Sequence, residues 1–509
     1  ARKDKIHSWF MDMNLLLGYW GATTRTYHHT APTNSLFGLH EALLLIREEG
    51  LEDCWARHYR HHVALKAGVE AMGLEFLVKE AYRLPQMNAI KIPEVLQPKE
   101  AAIRKQLLND FNLEIGAGLG PLAGKQQPDP EIAANRLREC RWEPSASLKI
   151  PADWPSGVYL GRLTTVPDSA REPYWQSYVV FIVRDTRRAD LLFQCSDNTW
   201  QAYNRWPNDY SLYTDPRGAH ARGVQVSFDR PYGKYAQIFE HPLSIGSGEF
   251  LPWEFPLAYW LEQHGYDVTY CSNSDCLDAA NLTRCKTFLS VGHDEYWDTR
   301  QYDAVKNAIA AGTNALWLSG NSVFAVSPFS PSSSGRANRI LTRTAIYAGL
   351  TDAEVEEEVR VFTKEWQRDT RNESDIIGAR SIVPFNGGGD WTCTKPEHWI
   401  FAGTGMKKGE AIRGLVGWEH HGSPAKIPGL EVVAEGTAWR GGTTPAHWTA
   451  TIFPGPKNNV VFNAATIFWA QGLSSPPGHI LPWSHWSRPH GPDERVQRIT
   501  QNVLRRCGA

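Results

Sequence analysis

Residues 287–320, TFLSVGHDEYWDTRQYDAVKNAIAAGTNALWLSG, decide the fold. TFLSVG is a continuous apolar run of strand length. TRQYDAVKNAIAAG carries helical spacing, and NALWLSG is a second buried run. Strand, helix and strand at this length imply a right-handed crossover within a parallel sheet. The first strand ends at Gly292, so His293, Asp294 and Glu295 emerge at its carboxyl end. In open α/β sheets that edge binds ligands. Residues 293 and 295 are two apart, so their side chains can project the same way. If NALWLSG is the neighbouring strand, Asn321 joins them in one crevice. The alternative reading is a capping cluster that opens the next helix, with Asp298 or Thr299 as the cap.

Working outward, WEFPLAYWLEQHG (253–265) reads as a helix and YDVTYCS (266–272) as a strand. GVYLGRLTTV (157–166), SYVVFIVRD (177–185) and RADLLFQCS (188–196) read as strands bounded by turn residues. The last third is rich in Gly and Trp and reads as short strands and loops. It closes on GPDERVQRITQNVLRRC (491–507), a helix with acids at its start and Arg near its end, as the helix dipole prefers.

Composition shifts near residue 125. Only Trp9, Trp20 and Trp55 of the 21 Trp precede it. GLGPLAGKQQPDPEIAANRLRE (118–139) reads as a strand end, a polar linker and a new start. The expected divisions are 1–124, a linker at 125–135, a β-rich region at 136–235 with a tyrosine loop, an α/β domain at 236–330, and a β-rich region at 331–509 with a C-terminal helix. The first segment reads as α+β. SLFGLHEALLLIREEG (35–50) is a helix with Leu36, Leu39, Leu43 and Ile46 on one face and Ser35 as N-cap. LEDCWARHYRHHVALKAGVEAMG (51–73) is a second helix with Trp55, Tyr59, Val63, Val69 and Met72 inward. LEFLV and FNLEIGAG read as strands, with a helix through AAIRKQLLNDF.

The 509 residues carry a net charge of -2. No basic excess exists to neutralise a phosphate backbone, so nucleic acid is not an expected partner. No apolar run approaches the roughly 20 residues that cross a bilayer, so no membrane partner is expected either. Eight cysteines are too sparse for a disulfide framework and read as reduced residues, which favours a cytoplasmic protein. The N-terminal ARKDKIHSWFMDMN is basic, but Asp4 and Asp12 interrupt any signal-peptide core.

Several motif candidates fail. GAGLGPLAG does not fit a dinucleotide-binding turn. HEALL lacks the second His of a zinc protease, leaving Glu41 as a solvated helix residue. Neither a G-x-S-x-G elbow nor a Walker sequence occurs. The pairs His28–His29, His61–His62 and His420–His421 diverge on a helix or strand and read as surface.

SDNTWQAYNRWPNDYSLYTD (196–215) places Tyr203, Tyr210 and Tyr213 among Trp and Asn in an expected loop. Aromatic packing is one reading. The other is metal ligation: phenolates are hard oxygen ligands, and only a strongly charged cation would ionise two of them near neutral pH. Ferric iron (Fe3+) suits such a set.

Residues from about 140 to 509 resemble the large (beta) subunit family of N,N-dimethylformamidase. NTWQAYN, SLYTD, GHDEYW, WLSGN and VVFNAATIFWAQGLSSPPGHILPW carry the resemblance, in order. It implies a parallel-sheet, glutamine-amidotransferase-like α/β domain flanked by β-rich regions, and a mononuclear iron held by two tyrosines and a glutamate. By motif, Tyr203 and Tyr213 match the phenolates and Glu295 the carboxylate. His293, Asn321 and, in VGWEHHG, Glu419 match the polar shell and are the expected catalytic residues. Tyr203 and Tyr213 lie closer together in sequence than in the family's best-known member, which leaves Tyr210 as the alternative ligand. The implied activity is hydrolysis of a small linear amide, with room for a small partner subunit and a homo-oligomer.

Residues 1–124 resemble something else, the C-terminal part of fold type I alanine–glyoxylate or serine–glyoxylate aminotransferases. TYHHTAPTNSLFGLHEALLLIREEGLE (26–52) and LNDFNLEIGAGLGPLAGK (108–125) carry it. Tyr27 and Thr30 match positions at a cofactor-phosphate site. The Schiff-base Lys lies upstream of the matching segment, and QQPDPE stands where the carboxylate-binding Arg belongs. Functional pyridoxal phosphate is therefore not expected, and the chain reads as a fusion. The competing function classes are an aminotransferase fragment and a non-catalytic binding module, whose surface would use Trp200, Trp206 and Trp297.

Overall fold

The computed structural model describes residues 33–76, scattered positions over 79–106, and 127–164, 176–233 (except 208 and 220), 246–347, 367–381, 387–440, 443–479 and 491–509. The chain divides into two compact units, Ala1–Gly120 and Pro121–Ala509. Tyr27, Thr30, His28–His29, FNLEIGAG and most of AAIRKQLLNDF lie outside the described residues.

In the first unit, helices α1 (Thr33–Glu49) and α2 (Leu51–Ala71) precede a short antiparallel pair, Glu75–Phe76 with Ile90–Lys91. The first helix starts at Thr33, so Ser35 falls inside its first turn and is not its N-cap. Leu39 and Leu43 are exposed. The second helix also departs from expectation. Trp55 and Tyr59 are 61% and 60% exposed, Val63 and Met72 are exposed too, and of the expected face only Val69 is buried, at 1%. Its buried side chains are Cys54, His62 and Val69. At 3.6 residues per turn, moving the inward stripe back by one residue, from 55 to 54, turns the helix by about 100°. His62 is thereby buried, against the surface reading.

The second unit is built on a seven-stranded sheet. Its strands in chain order are β1 (Leu191–Gln194), β2 (Val268–Cys271), β3 (Thr287–His293), β4 (Asn314–Gly320), β5 (Glu431–Arg440), β6 (Thr444–Pro454) and β7 (Val460–Asn463). They lie side by side as β5-β6-β7-β4-β3-β1-β2. β7, β4, β3, β1 and β2 run parallel, and β6 and β5 add an antiparallel edge. The sheet therefore takes strands from each of the segments 136–235, 236–330 and 331–509. The ten- and eleven-residue strands β5 and β6 lie where only short strands were expected.

Strand residues alternate between two cores, as the period of two demands. Leu191, Phe193, Leu289, Val291, Leu316, Leu318 and Phe462 face one core. Leu192, Phe288, Ala315, Trp317 and Val461 face the other. Helix α3 (Asp197–Tyr203) follows β1. α4 (Phe255–Gln263) and α6 (Glu494–Arg506) cover the first face, and α5 (Thr299–Ala311) covers the second. α6 buries Val496, Ile499 and Val503 at i, i+3 and i+7. Asp298 caps α5 by accepting from the Arg300 amide at 2.8 Å, and left-handed Gly312 closes it. An antiparallel pair, Gly157–Thr164 with Gln176–Val183, forms a separate two-stranded sheet whose Val158, Val180 and Ile182 pack against the first core.

In chain order the parallel strands are arranged 2-1-3-4-5. The connections leave β1 and β3 in opposite directions, so a crevice opens between their carboxyl ends, the usual ligand site of doubly wound sheets. Among the described residues no helix is long and apolar enough to cross a membrane.

Candidate functional site

The crevice collects the expected residues from separate elements. β3 and β4 are parallel neighbours with His293 opposite Gly320, so Asn321 follows directly beside His293. Tyr203 arrives as the last residue of α3, a helical position and not the expected loop. Hydrogen bonds set that helix on the strand ends. Ser196 Oγ donates to the Val291 carbonyl at 2.9 Å, and Asn198 Nδ2 to the Tyr296 carbonyl at 2.8 Å. The Glu295 amide donates to Thr199 Oγ1 at 3.1 Å. Buried Arg230 then ties down the following loop by donating to the carbonyls of Gln201, Trp206 and Tyr210 at 2.6–2.9 Å.

Two phenols and one carboxylate meet at the centre. Tyr203 Oη lies 2.8 Å from Glu295 Oε2 and 3.1 Å from Tyr213 Oη. Tyr213 Oη is 3.3 Å from Glu295 Oε1. The two tyrosine rings stack at 4.7 Å and 17°. His293 Nε2 sits 3.2 Å from Glu295 Oε2 and 3.6 Å from Glu419 Oε1. Tyr210 is not part of this group. Its hydroxyl donates to the Gln225 carbonyl, and its ring is surrounded by the guanidinium groups of Arg136, Arg138 and Arg230. The alternative ligand is therefore an aromatic packing residue.

Glycine brings Glu419 to the site. A Cβ on Gly320 would lie 2.1 Å from the Glu419 carbonyl oxygen, so the backbone at 419 can pass only where residue 320 has no side chain. Beyond it, Asn321 and Val323 hold left-handed φ values of 49° and 55°. For β-branched Val323 that is a strained conformation, and such strain gathers at functional sites. Neither Glu419 carboxylate oxygen nor either amide atom of Asn321 makes a hydrogen bond of ordinary geometry among the described residues, although all four are buried.

Burial dominates the electrostatics. It pushes the Tyr203 and Tyr213 phenols well above their usual range, and the Glu295 charge adds to both shifts. The Glu419 carboxyl is also pushed well up by burial and then by Glu295, while Asn321 and Trp418 pull it back. Without a cation, the two phenols stay neutral at pH 7.

Sequence reasoning missed two neighbours, Tyr296 and Arg343. Tyr296 touches the Tyr213 hydroxyl with its own. Strand β3 stops at His293 and the chain starts a new pairing, Tyr296–Trp297 with Ala325–Val326, so simple alternation along GHDEYW does not carry past Glu295. The Arg343 guanidinium lies 4.8 Å over the Tyr213 ring and is held by the Ala219 and Ala221 carbonyls. Asp294 turns away from the crevice into the sheet. Two surface readings also fail. His420 and His421 are fully buried, because the strand they open is pinned against β4 and β7. Trp200 and Trp297 are core residues, with Trp200 Nε1 donating to Glu254 at 2.7 Å, so they offer no binding surface.

The profile of one protein family, described as N,N-dimethylformamidase beta subunit-like, C-terminal, matches residues 115–482. The chain belongs to this family. The dimethylformamidase-like match spans every residue of the crevice. A different set of relatives matches a shorter segment. Alanine–glyoxylate aminotransferase of Mus musculus is 40% identical over 124 residues, 24% of this chain and 30% of that protein. The enzyme of the same name from Callithrix jacchus is 36% identical over 142 residues, 27% of this chain and 34% of that protein. (S)-Ureidoglycine–glyoxylate transaminase of Bacillus subtilis is 38% identical over 24% of this chain and 28% of its own. The chain thus spans about a third of the length of these curated relatives. Among solved structures, an alanine–glyoxylate aminotransferase from Nostoc sp. is 46% identical over 24% of this chain and 32% of that one, with a TM-score of 0.19. A dimethylformamidase-like region joined to an aminotransferase-like segment is consistent with a fusion.

Proposed function

We propose that the dimethylformamidase-like region is a hydrolase of a small linear amide that works with ferric iron. The observation that carries this reading is the convergence of Tyr203, Tyr213 and Glu295, whose oxygens lie 2.8–3.3 Å apart at the switch point of the sheet. Among the described residues no three His, Cys, Asp or Glu side chains gather as a metal site. The donor set here is oxygen only, which suits a hard cation, and two half-buried neutral phenols beside a carboxylate need a high charge to ionise. The three residues would hold the ion. Bound iron would supply Lewis-acid polarisation of the amide carbonyl and a more acidic water.

The chain's own groups do the rest. Asn321 Nδ2, buried beside Glu419, donates to the substrate carbonyl oxygen and to the charge that grows on it. Glu419 takes the proton of the attacking water. Its buried carboxyl, with a raised pKa, accepts a proton more readily than an ordinary carboxylate. His293 sits 3.6 Å from Glu419, within reach to pass that proton to the leaving amine. The near-complete burial of His293, Glu295, Asn321 and Glu419 excludes bulk water. The glutamine-amidotransferase-like character of the domain, a cytoplasmic location, a small partner subunit and a homo-oligomer belong to the same reading.

The test is metal analysis with a visible spectrum, followed by hydrolysis of formamide and its N-methyl derivatives. About one iron per chain, a phenolate charge-transfer band and release of formate would support the reading. A colourless protein that takes up no iron would end it. For the first unit the aminotransferase relatives favour a second reading, a fragment of a pyridoxal-phosphate enzyme. Turnover of alanine plus glyoxylate with added pyridoxal phosphate would raise that reading above a vestigial one.

A further inference from the structure

Asp294 lies between two residues of the crevice and points the opposite way, into a buried polar run. Its Oδ2 accepts from Gln194 Nε2 at 2.6 Å and from Ser290 Oγ at 2.8 Å. Its Oδ1 accepts from Asn273 Nδ2 at 3.1 Å. Gln194 ends β1, Asn273 follows β2, and Ser290 belongs to β3. One carboxylate therefore ties the carboxyl ends of three strands. The amide of Gln194 is itself oriented, because its oxygen accepts from Gln301 of α5 at 2.7 Å.

The run continues across the sheet. Ser290 Oγ meets Ser319 Oγ at 3.0 Å, and Ser319 Oγ meets Ser322 Oγ at 2.6 Å. The Ser322 amide donates to His421 Nε2 at 3.0 Å, which leaves Nδ1 to carry the ring proton and donate to Asn463 Oδ1 at 2.6 Å. Asn463 ends β7. All five parallel strands are thus joined at their carboxyl ends by one run of hydrogen bonds, side chain to side chain except at the Ser322 backbone amide, through residues that are each fully buried. The chain passes beneath both halves of the crevice: His293 and Glu295 flank Asp294, and Asn321 precedes Ser322. Buried hydrogen-bonded networks of this kind favour a single arrangement, and they orient the groups above them.

We propose that Asp294 is a positioning residue for the crevice, the head of a polar run that fixes Glu295 and His293 relative to the tyrosine pair. The proposal rests on the catalytic reading of that crevice. Asp294→Ala removes the acceptor from three donors at once. Asp294→Asn keeps the shape and one acceptor; the Ser290 hydroxyl can rotate, and the Gln194 and Gln301 amides can flip together so that Gln194 Oε1 accepts from the new amide. A role limited to bulk stability would lower both variants' melting temperatures without separating them at the site.

The experiment compares wild type, Asp294→Asn and Asp294→Ala as full chains. Ferric iron uptake and the visible band are read first, and amide-proton exchange around Thr199 and Glu295 is read in the metal-free proteins. The expected result is at least a tenfold loss of iron affinity in Asp294→Ala with rescue to within about threefold in Asp294→Asn. It is accompanied by faster exchange of the Glu295 amide in the alanine variant alone. Equal iron affinity in all three proteins would overturn the proposal and leave the iron reading standing. If wild type takes up no iron, the iron reading fails and exchange decides. Faster Glu295 exchange confined to Asp294→Ala would then support the positioning role, and unchanged exchange would overturn it. If Asp294→Ala does not fold, a Ser319→Ala variant breaks the run at its middle, and the same two readouts apply with wild type as reference.

Discussion

Tyr203 and Glu295 stand 92 residues apart in sequence, yet the phenol oxygen lies 2.8 Å from the carboxylate. Tyr203 ends the helix after β1, and Glu295 follows the end of β3. The 2-1-3-4-5 strand order makes those two ends neighbours, so the contact is a consequence of topology.

That contact leads to the first prediction. Tyr213→Phe keeps the stacked ring and removes only the oxygen. The lost hydrogen bonds should cost about 1 kcal/mol of stability, a drop of a few degrees in melting temperature. The visible band and amide hydrolysis should both disappear. Tyr210→Phe should leave both intact, because that hydroxyl donates to the Gln225 carbonyl away from the crevice. Loss of the band in Tyr210→Phe with retention in Tyr213→Phe would reverse the assignment.

His293→Ala tests the proton relay. No ligand oxygen is lost, so iron content should hold at the wild-type level. Turnover should fall on the order of a hundredfold or more, the usual loss for an acid–base group. Steady-state kinetics with parallel metal analysis separates the two effects. A variant that loses its iron would recast His293 as a residue that supports the metal, while unchanged turnover would remove it from the chemistry.

How much of this could be read from the sequence depends on the element. β3 and β4 are buried on both faces, so they appear as uninterrupted apolar runs, and β3 ends at His293, one residue past the expected Gly292. The pair His420–His421 could not be placed, because burial there depends on Gly320 admitting the 419 backbone, a contact between segments almost 100 residues apart. On α2 the buried stripe of Cys54, His62 and Val69 includes a histidine, so apolar periodicity points to the neighbouring stripe instead. Tyr296 was hidden by the break in strand geometry after His293. Asp294 reads in sequence as emerging at the strand end with His293 and Glu295, and its separate direction is not legible there, because its donors Gln194 and Asn273 come from other strands.

The two compact units lead to a prediction about folding. A chain beginning near residue 127 keeps every strand of the large sheet and every described residue of the crevice. It should be soluble, melt cooperatively, and match the iron uptake of the full chain, since domains fold as units. Aggregation of the shortened chain under conditions where the full chain stays folded would show that the second unit depends on the first.

Gly320→Ala tests the close approach that places Glu419. The added Cβ would fall 2.1 Å from a backbone oxygen and 2.7 Å from the Ile467 nitrogen, and no flexible side chain is there to yield. Overpacking of this kind costs about 1–3 kcal/mol or more. The expected outcome is a marked fall in melting temperature together with loss of hydrolysis out of proportion to it. Near-wild-type stability would mean that the 417–421 segment can move aside.

Glu373 gives the pH prediction, away from the crevice. Its side chain is 2% exposed, and burial raises its carboxyl to about 7 although Arg380, 3.5 Å away, pulls the other way. The folded state therefore holds a proton that the unfolded chain releases near 4.5. Its stabilising contribution is complete below about pH 4.5 and is lost as pH rises through about 7. A difference of this size corresponds to about 3 kcal/mol at most. Glu373→Gln cannot titrate, so the stability of the variant relative to wild type should rise between pH 5 and pH 8. Chemical denaturation at both pH values measures it. The raised carboxyl of Asp197 contributes equally to both proteins and cancels in the comparison. A difference between variant and wild type that does not change with pH would show that Glu373 ionises normally, with Arg380 outweighing its burial.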